Sequence, residues 1–292
     1  MANLKEIRNR ITSVESTMQI TSAMKMVSAA KLKRAQDAVT QMRPYADKLG
    51  EILANLSASI DMSENKYSSD REAKNVLLVA ITSNRGLCGG FNNNVIKETL
   101  RLIKEEYAGK SVTVLSIGKK ANDAFKRTDY NIKGTYLPSH MAELWNDLSF
   151  DNVAPKVEKI MGAFENGHID KVVMVYNHFK NVATQEVRVE QFLPIVPASG
   201  DDSNTNLDYI FEPSKTEIVE DLIPKSLKIQ MYSALLDSHA GEHGARMTAM
   251  HKATDNAGEL NKQLKIDYNK ARQAAITNEI LEIVGGAEAL KG

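Results

Sequence analysis

Residues 246–292 read RMTAMHKATDNAGELNKQLKIDYNKARQAAITNEILEIVGGAEALKG. The stretch has no proline, and its only glycine before Val284 is Gly258. Apolar or small residues fall at Met250, Ala253, Ala257, Leu260 and Leu264, then Tyr268, Ala271 and Ala275. That 3-4-3-4 rhythm is the seam of a long helix pairing with another helix. Past Ala274 the pattern changes. Ala274, Ala275, Ile276, Ile280, Leu281, Ile283 and Val284 spread around the helix instead of holding one stripe. A helix end that is apolar on several sides needs enclosure, and one partner helix cannot supply it. A wider apolar sleeve is expected around this tip.

The partner helix is written at the other end of the chain. Leu4, Ile7, Ile11, Val14 and Met18 keep the same spacing, as do Val39, Met42, Ala46, Leu49, Leu53, Leu56 and Ile60. Between them the seam turns small, with Ala23, Ala29, Ala30, Ala35 and Ala38 allowing a partner backbone to come close. Pro44 and Gly50 are the helix breakers, and Pro44 is placed to kink it. A helix over 1–60 would run to roughly 80 Å or more at 1.5 Å per residue. An ordinary two-helix coiled coil accounts for this pattern as well as a specialised one does. Lys25, Lys31, Lys33, Arg34 and Arg43 form a basic cluster on this helix. It reads either as a solvated face or as a positive collar meeting acidic loops of a partner.

Between the helices the composition shifts. Residues 61–74, DMSENKYSSDREAK, are polar and aperiodic, and read as a linker. NVLLVAIT (75–82) is a continuous apolar run suited to a strand buried on both faces. The loop SNRGLCGGFNNN follows, then an amphipathic helix through Ile96, Leu100, Ile103 and Tyr107, then the strand SVTVLSIG at 111–118. Strand, glycine turn, helix, strand is a βαβ unit. KKANDAFKR is a short helix, Leu148 to Phe164 a longer one, and KVVMVYNHF and EVRVEQFLPIV two more strands, the last two forming a hairpin. The second long helix is expected to start near Pro213 or Pro224. Gly241, Gly244 and Gly258 interrupt it at about 1 kcal/mol each, so close packing or a functional bend is expected to compensate.

Bulk numbers remove several function classes. With 37 basic and 37 acidic side chains in 292 residues the net charge is zero, against the basic excess of nucleic-acid binders. One cysteine, Cys88, excludes an internal disulfide framework and fits a reducing compartment. No apolar run approaches the roughly 18 residues of a membrane span, and MANLKEIRNR has no signal-peptide core. The loop from Gly86 to Phe91 has the strand-before, helix-after context of a dinucleotide cradle. It lacks the G-x-G-x-x-G order, no G-K-[ST] follows, and Ser116-Ile117-Gly118 offers no acid for a ribose. A tight turn needing glycine dihedrals is the better reading. His239 and His243 are four apart on a helix, but without an H-E-x-x-H pattern they read as exposed and not as a metal pair. No catalytic, cofactor-binding or metal-binding constellation is expected, and no cofactor.

The segment ATDNAGELNKQLKIDYNKARQAAITNEILEIVGGA resembles the C-terminal signature of the gamma subunit of F-type ATP synthases. Ile7 to Arg34 and the loop RGLCGGFN resemble the same family, so the likeness spans nearly the whole chain. It implies an α/β fold plus a long antiparallel helical coiled coil. The coiled-coil helices are 1–60 and 213–292, with a Rossmann-like α/β domain at 75–197 inserted between them. It implies a non-catalytic rotor shaft whose partners are alpha, beta and epsilon subunits and a membrane c ring, with no nucleic acid and no direct membrane insertion. The expected place is peripheral, on the cytoplasmic face of the inner membrane. Arg272, Gln273, Met24 and Arg246 correspond to beta-subunit contacts, with Thr277 and Glu279 above them. Ile276, Ile280, Ile283 and Val284 correspond to an apolar bearing, and Tyr209, Phe211 and Glu212 to contacts with the c ring or epsilon. His251, Lys252 and Gly285 depart from residues common in the family. A non-rotary coiled-coil scaffold and a nucleotide-binding α/β enzyme are the alternatives.

Overall fold

A single buried strand organises the sheet. In the computed structural model, which describes residues 4–57, 66–68, 71–132, 136–182, 184–195 and 215–289, β1 (Asn75–Ile81) lies between β2 (Ser111–Ile117) and β3 (Lys171–Phe179). Both neighbours run parallel to it, and β4 (Gln185–Leu193) closes the order β2-β1-β3-β4 antiparallel to β3. β1 is apolar at every position from Val76 because both its faces are covered. Leu77, Val79 and Ile81 face one layer with Val153, Val157, Ile160 and Phe164 of α4 (Phe150–Glu165). Val76, Leu78 and Ala80 face the other, with Val95 of α2 (Phe91–Arg101) and Ala121 and Phe125 of α3 (Lys119–Phe125). α2 continues as a π-helical turn over Leu102–Glu106, which periodicity does not announce.

The chain divides into two compact units, residues 29–246 and residues 1–28 with 247–292. The long helices α1 (Leu4–Ser57) and α5 (Lys215–Ala289) each belong to both. Pro44 lies inside α1, and Pro224 lies inside α5, so Pro224 does not start the second helix. In the larger unit α5 supplies the sheet with Ile223, Leu227, Met231, Ala234 and Leu235, all buried in the same layer as α4.

In the smaller unit the two helices pair antiparallel. Partners on α5 fall in number as those on α1 rise. Lys265 and Asn261 meet Glu15 at 2.8 and 3.2 Å, Thr254 donates to Thr21 at 2.8 Å, and Lys25 meets His251 at 3.3 Å. Gly258 faces the Met18 sulfur, 3.9 Å from where a Cβ would stand. Met250, Ala257 and Leu264 are buried as the seam requires, whereas Leu260 is 46% exposed and the polar Asn261 takes the buried position instead. The pairing register brings the described start of α1, at Leu4, level with the turn around Arg272.

Candidate functional site

Beyond that level α5 continues as an exposed helix. Arg272, Gln273 and Ala274 are exposed, and every residue from Ile276 to Ala289 is exposed. Ile276 is 47% exposed, Ile280 55%, Leu281 62%, Ile283 71% and Val284 52%. Five large apolar side chains on one short helical stretch are open to solvent on several sides. Soluble surfaces rarely leave so dense an apolar patch unless it contacts something. Thr277 donates to the Gln273 carbonyl at 2.9 Å, which leaves the Gln273 side-chain amide out of that bond. Met24 is half-buried on α1. Tyr209, Phe211 and Glu212, with Pro213, lie outside the described residues.

A second, buried cluster sits where α5 crosses the C-terminal ends of β1 and β3. In an open α/β sheet this is the crevice that ligands use. Here the chain's own helix fills it. A Cβ on Gly241 would lie 3.3 Å from the Phe91 ring and 3.7 Å from the Asn177 carbonyl, and one on Gly244 would lie 3.4 Å from the Phe179 ring. Close packing is therefore what compensates both helix glycines. Asn177 donates to the Phe91 carbonyl at 3.1 Å, tying β3 to the start of α2.

Arg246, expected at a partner surface, is instead buried at 7% exposure. It meets the Glu242 carboxylate at 2.7 Å and donates to the carbonyls of Arg85 and Gly86 at 3.3 Å each. The glycine-rich loop is thus held through its backbone by a guanidinium. Its own network adds Ser83 N–H to Asn92 Oδ1 at 2.9 Å and Asn92 Nδ2 to Cys88 Sγ at 3.1 Å. The expected glycine turn is present at Gly89, with φ 59°, and Leu87 shares the left-handed region at φ 62° while standing 64% exposed. Gly118, which ends β2 at φ 109°, could not carry a Cβ, since it would stand 2.1 Å from the Thr82 carbonyl oxygen. Burial pushes the Cys88 thiol up from its ordinary value, and the Arg246 charge opposes that shift.

The histidine pair is enclosed. His243 is buried and His239 half-buried, stacked 5.6 Å from Trp145, so neither is the exposed residue its spacing suggested. Their Nε2 atoms are 3.1 Å apart, and Arg246 Nη1 lies 3.4 Å from His243 Nδ1. Guanidinium only donates, so Nδ1 accepts, and His243 then donates from Nε2 to His239. That tautomer leaves no pair of free lone pairs for a metal. Burial first, then nearby positive charge, lowers His239 to about 4 and His243 to about 3. Burial raises Glu242 despite its arginine. Sequence spacing missed this cluster because its partners come from Gly86 and Trp145, far away in the chain. The one local signal was the run of glycines among good helix formers. Among the described residues no group of three or more His, Cys, Asp or Glu could hold a metal ion, and no helix is long and apolar enough to cross a membrane.

Fold and surface together define a protein of two paired terminal helices with an α/β unit between them in sequence, and with an exposed apolar helix end fit for protein contact. The family model described as ATP synthase matches residues 3–290, and the chain belongs to that family. It is 62% identical over 293 residues to the ATP synthase gamma chain of Flavobacterium johnsoniae, covering all of both chains. To the ATP synthase gamma chain of Chlorobaculum tepidum it is 48% identical, again over all of both. A solved structure of the Tetrahymena thermophila mitochondrial ATP synthase central stalk and c ring matches with TM-score 0.58 at 25% identity, covering 80% of this chain and 99% of that one. A chain of the Euglena gracilis mitochondrial ATP synthase (OSCP/F1/c-ring) matches with TM-score 0.63 at 21% identity, covering 98% and 94%, which is a likeness of fold. Membership favours neither the free-standing scaffold nor the nucleotide-binding enzyme.

Proposed function

We propose that this chain is the central rotor shaft of an F-type ATP synthase. It carries rotation of a membrane c ring, driven by protons or sodium ions, to a head of alpha and beta subunits where ATP is made or hydrolysed. It has no catalytic residue of its own and works peripherally, on the cytoplasmic face of the inner membrane. The observation that carries this reading is the exposed apolar end of α5, from Ile276 at 47% to Ile283 at 71% exposure. A scaffold has no use for such a tip, whereas a shaft needs a bearing. The alpha and beta subunits supply the sleeve around Ile276, Ile280, Ile283 and Val284. Tyr209, Phe211 and Glu212 contact the c ring or epsilon.

The mechanism follows from asymmetry. One rod with no threefold axis cannot touch three equivalent partners alike. Each partner meets a different face, and the difference in contact energy selects its conformation. Rotation hands each set of contacts to the next partner. Arg272 and Gln273 are adjacent and exposed, so they point about 100° apart on the helix and can grip one acidic loop of a beta subunit from two sides. Charge-assisted hydrogen bonds there are worth roughly 1.5–3 kcal/mol each, enough to bias one conformation and weak enough to break at the next step. Met24 is a further beta-subunit contact. Arg246 belongs with it only indirectly, since its guanidinium is spent inside the chain.

The test is Arg272→Ala with Gln273→Ala in the reconstituted complex. Assembly by co-purification should be unchanged, because neither side chain is on the paired seam. ATP hydrolysis and ion-driven synthesis should both fall, roughly tenfold for each hydrogen bond to the beta subunit that the variant can no longer make. Wild-type rates for both activities remove these residues from the mechanism.

A further inference from the structure

The buried pair on α5 has a consequence for the glycine-rich loop. Glu242 and Arg246 are one turn apart, and their side chains are 10% and 9% exposed. A buried ion pair is costly to desolvate, and well-packed apolar residues often serve stability as well. What this pair reaches is the loop. Arg246 donates from Nε and Nη2 to the Gly86 carbonyl at 3.4 and 3.3 Å, and from Nη2 to the Arg85 carbonyl at 3.3 Å. The Gly86 carbonyl has no strand or helix to satisfy it, because the loop leaves β1 at Ile81 and α2 begins only at Phe91, whereas the Arg85 carbonyl also accepts from Ser83 Oγ at 2.6 Å. The loop also holds Leu87, a non-glycine residue, at φ 62°, a conformation that costs energy and persists only when its surroundings impose it. On one side of Leu87 is Arg246's hold on Gly86. On the other is Cys88, buried at 2% and gripped by Asn92.

We propose that Arg246, oriented by the Glu242 carboxylate, is a clamp that fixes the loop 85–90 in this strained arrangement, with Leu87 turned out and Cys88 turned in. Without the fork of donors the loop relaxes by a local opening that leaves the sheet and α5 folded. The planar guanidinium suits this task, since its fixed donors are spread over three nitrogens to meet two successive carbonyls and a carboxylate, whereas an ammonium concentrates its three donors on one atom. Arg246 and Glu242 are positioning residues for a surface loop, a role that does not depend on which partner the loop meets.

Cys88 is the only cysteine of the chain, so its reaction rate with a small aromatic disulfide reports loop opening directly in the full-length isolated protein. Arg246→Lys and Arg246→Gln should each raise that rate about tenfold or more at fixed pH. The direction is decisive for Arg246→Gln. The Arg246 charge lowers the thiol's pKa, so electrostatics alone would leave less thiolate and slow the reaction. Val173→Ala, a cavity in the sheet away from the loop, is the stability control. The clamp variants should accelerate the reaction in low urea with little urea dependence, the mark of local opening. The control should accelerate it only in step with its loss of global stability. Rates for Arg246→Lys and Arg246→Gln that equal wild type, or that rise only as the control's do, overturn the clamp.

Discussion

Two stretches of the same helix, 223–246 and 276–286, are both rich in apolar residues and both carry a glycine pair, yet they solve opposite problems. Leu227, Met231 and Leu235 are at or below 2% exposure against the sheet, whereas Ile280, Leu281 and Ile283 are more than half exposed. Gly241 and Gly244 lie against Phe91 and Phe179, whereas Gly285 and Gly286 have nothing within 4 Å of where a Cβ would be. The first stretch is finished inside the chain. The second is left open by the described residues, and the proposed sleeve is what would cover it. Apolar content by itself does not separate a core from a bearing. What does is whether the rest of the chain supplies the other face.

The comparison can be broken first with acid. His239 and His243 sit in the finished stretch, with pKa values held at about 4 and about 3 against an ordinary 6.5. Between those limits the unfolded chain binds more protons than the folded one. Stability from the pair is therefore whole above pH 6.5 and is lost as pH falls toward 4 and below, at about 1.4 kcal/mol per pH unit for each histidine. Glu242, raised by burial, works in the other sense above its ordinary value of 4.5. Urea midpoints of wild type and the His239→Gln, His243→Gln variant between pH 4 and 7 separate the two. The wild type should lose several kcal/mol more over that range. Parallel curves would mean the pair is not buried neutral.

Next in size are leucine truncations in the isolated chain. Leu235→Ala should cost about 2–5 kcal/mol, because the side chain is fully enclosed. Leu281→Ala, from 62% exposure, should change stability by no more than about 0.5 kcal/mol. Equal costs in chemical unfolding would erase the distinction between the stretches.

The smallest effect concerns the glycines. Gly285→Ala has room and should gain up to about 1 kcal/mol of local helix stability, seen as slower exchange of nearby amides. Gly241→Ala meets Phe91 at 3.3 Å and should forfeit that gain. A stabilised Gly241→Ala would show that the Phe91 contact yields easily.

Much of this was readable from residue order. The run Val76–Ile81, apolar at every position, announced a strand covered on both faces, and the loss of a stripe after Ala274 announced an unenclosed helix end. Other features were not readable, each for a physical reason. Arg246 looks like any basic residue on a helix, because its carbonyl partners at Arg85 and Gly86 are distant in the chain. His239 and His243 look solvated until Trp145 stacks on His239 and Arg246 reaches His243. The swap of Leu260 for Asn261 on the seam depends on Glu15 reaching across from the other helix, which heptad counting cannot see. Of the two expected starts for the second helix, the one near Pro213 fits, since α5 begins at Lys215, while Pro224 sits within it.

The central claim is that α5 beyond Arg272 awaits an external sleeve. Hydrogen exchange of residues 272–289, compared between the isolated chain and the assembled ATP synthase, tests it most directly. Amides of that segment should exchange freely in the isolated chain and be strongly protected in the complex, while 227–246 is protected in both. Equal exchange of 272–289 in the two states would contradict it.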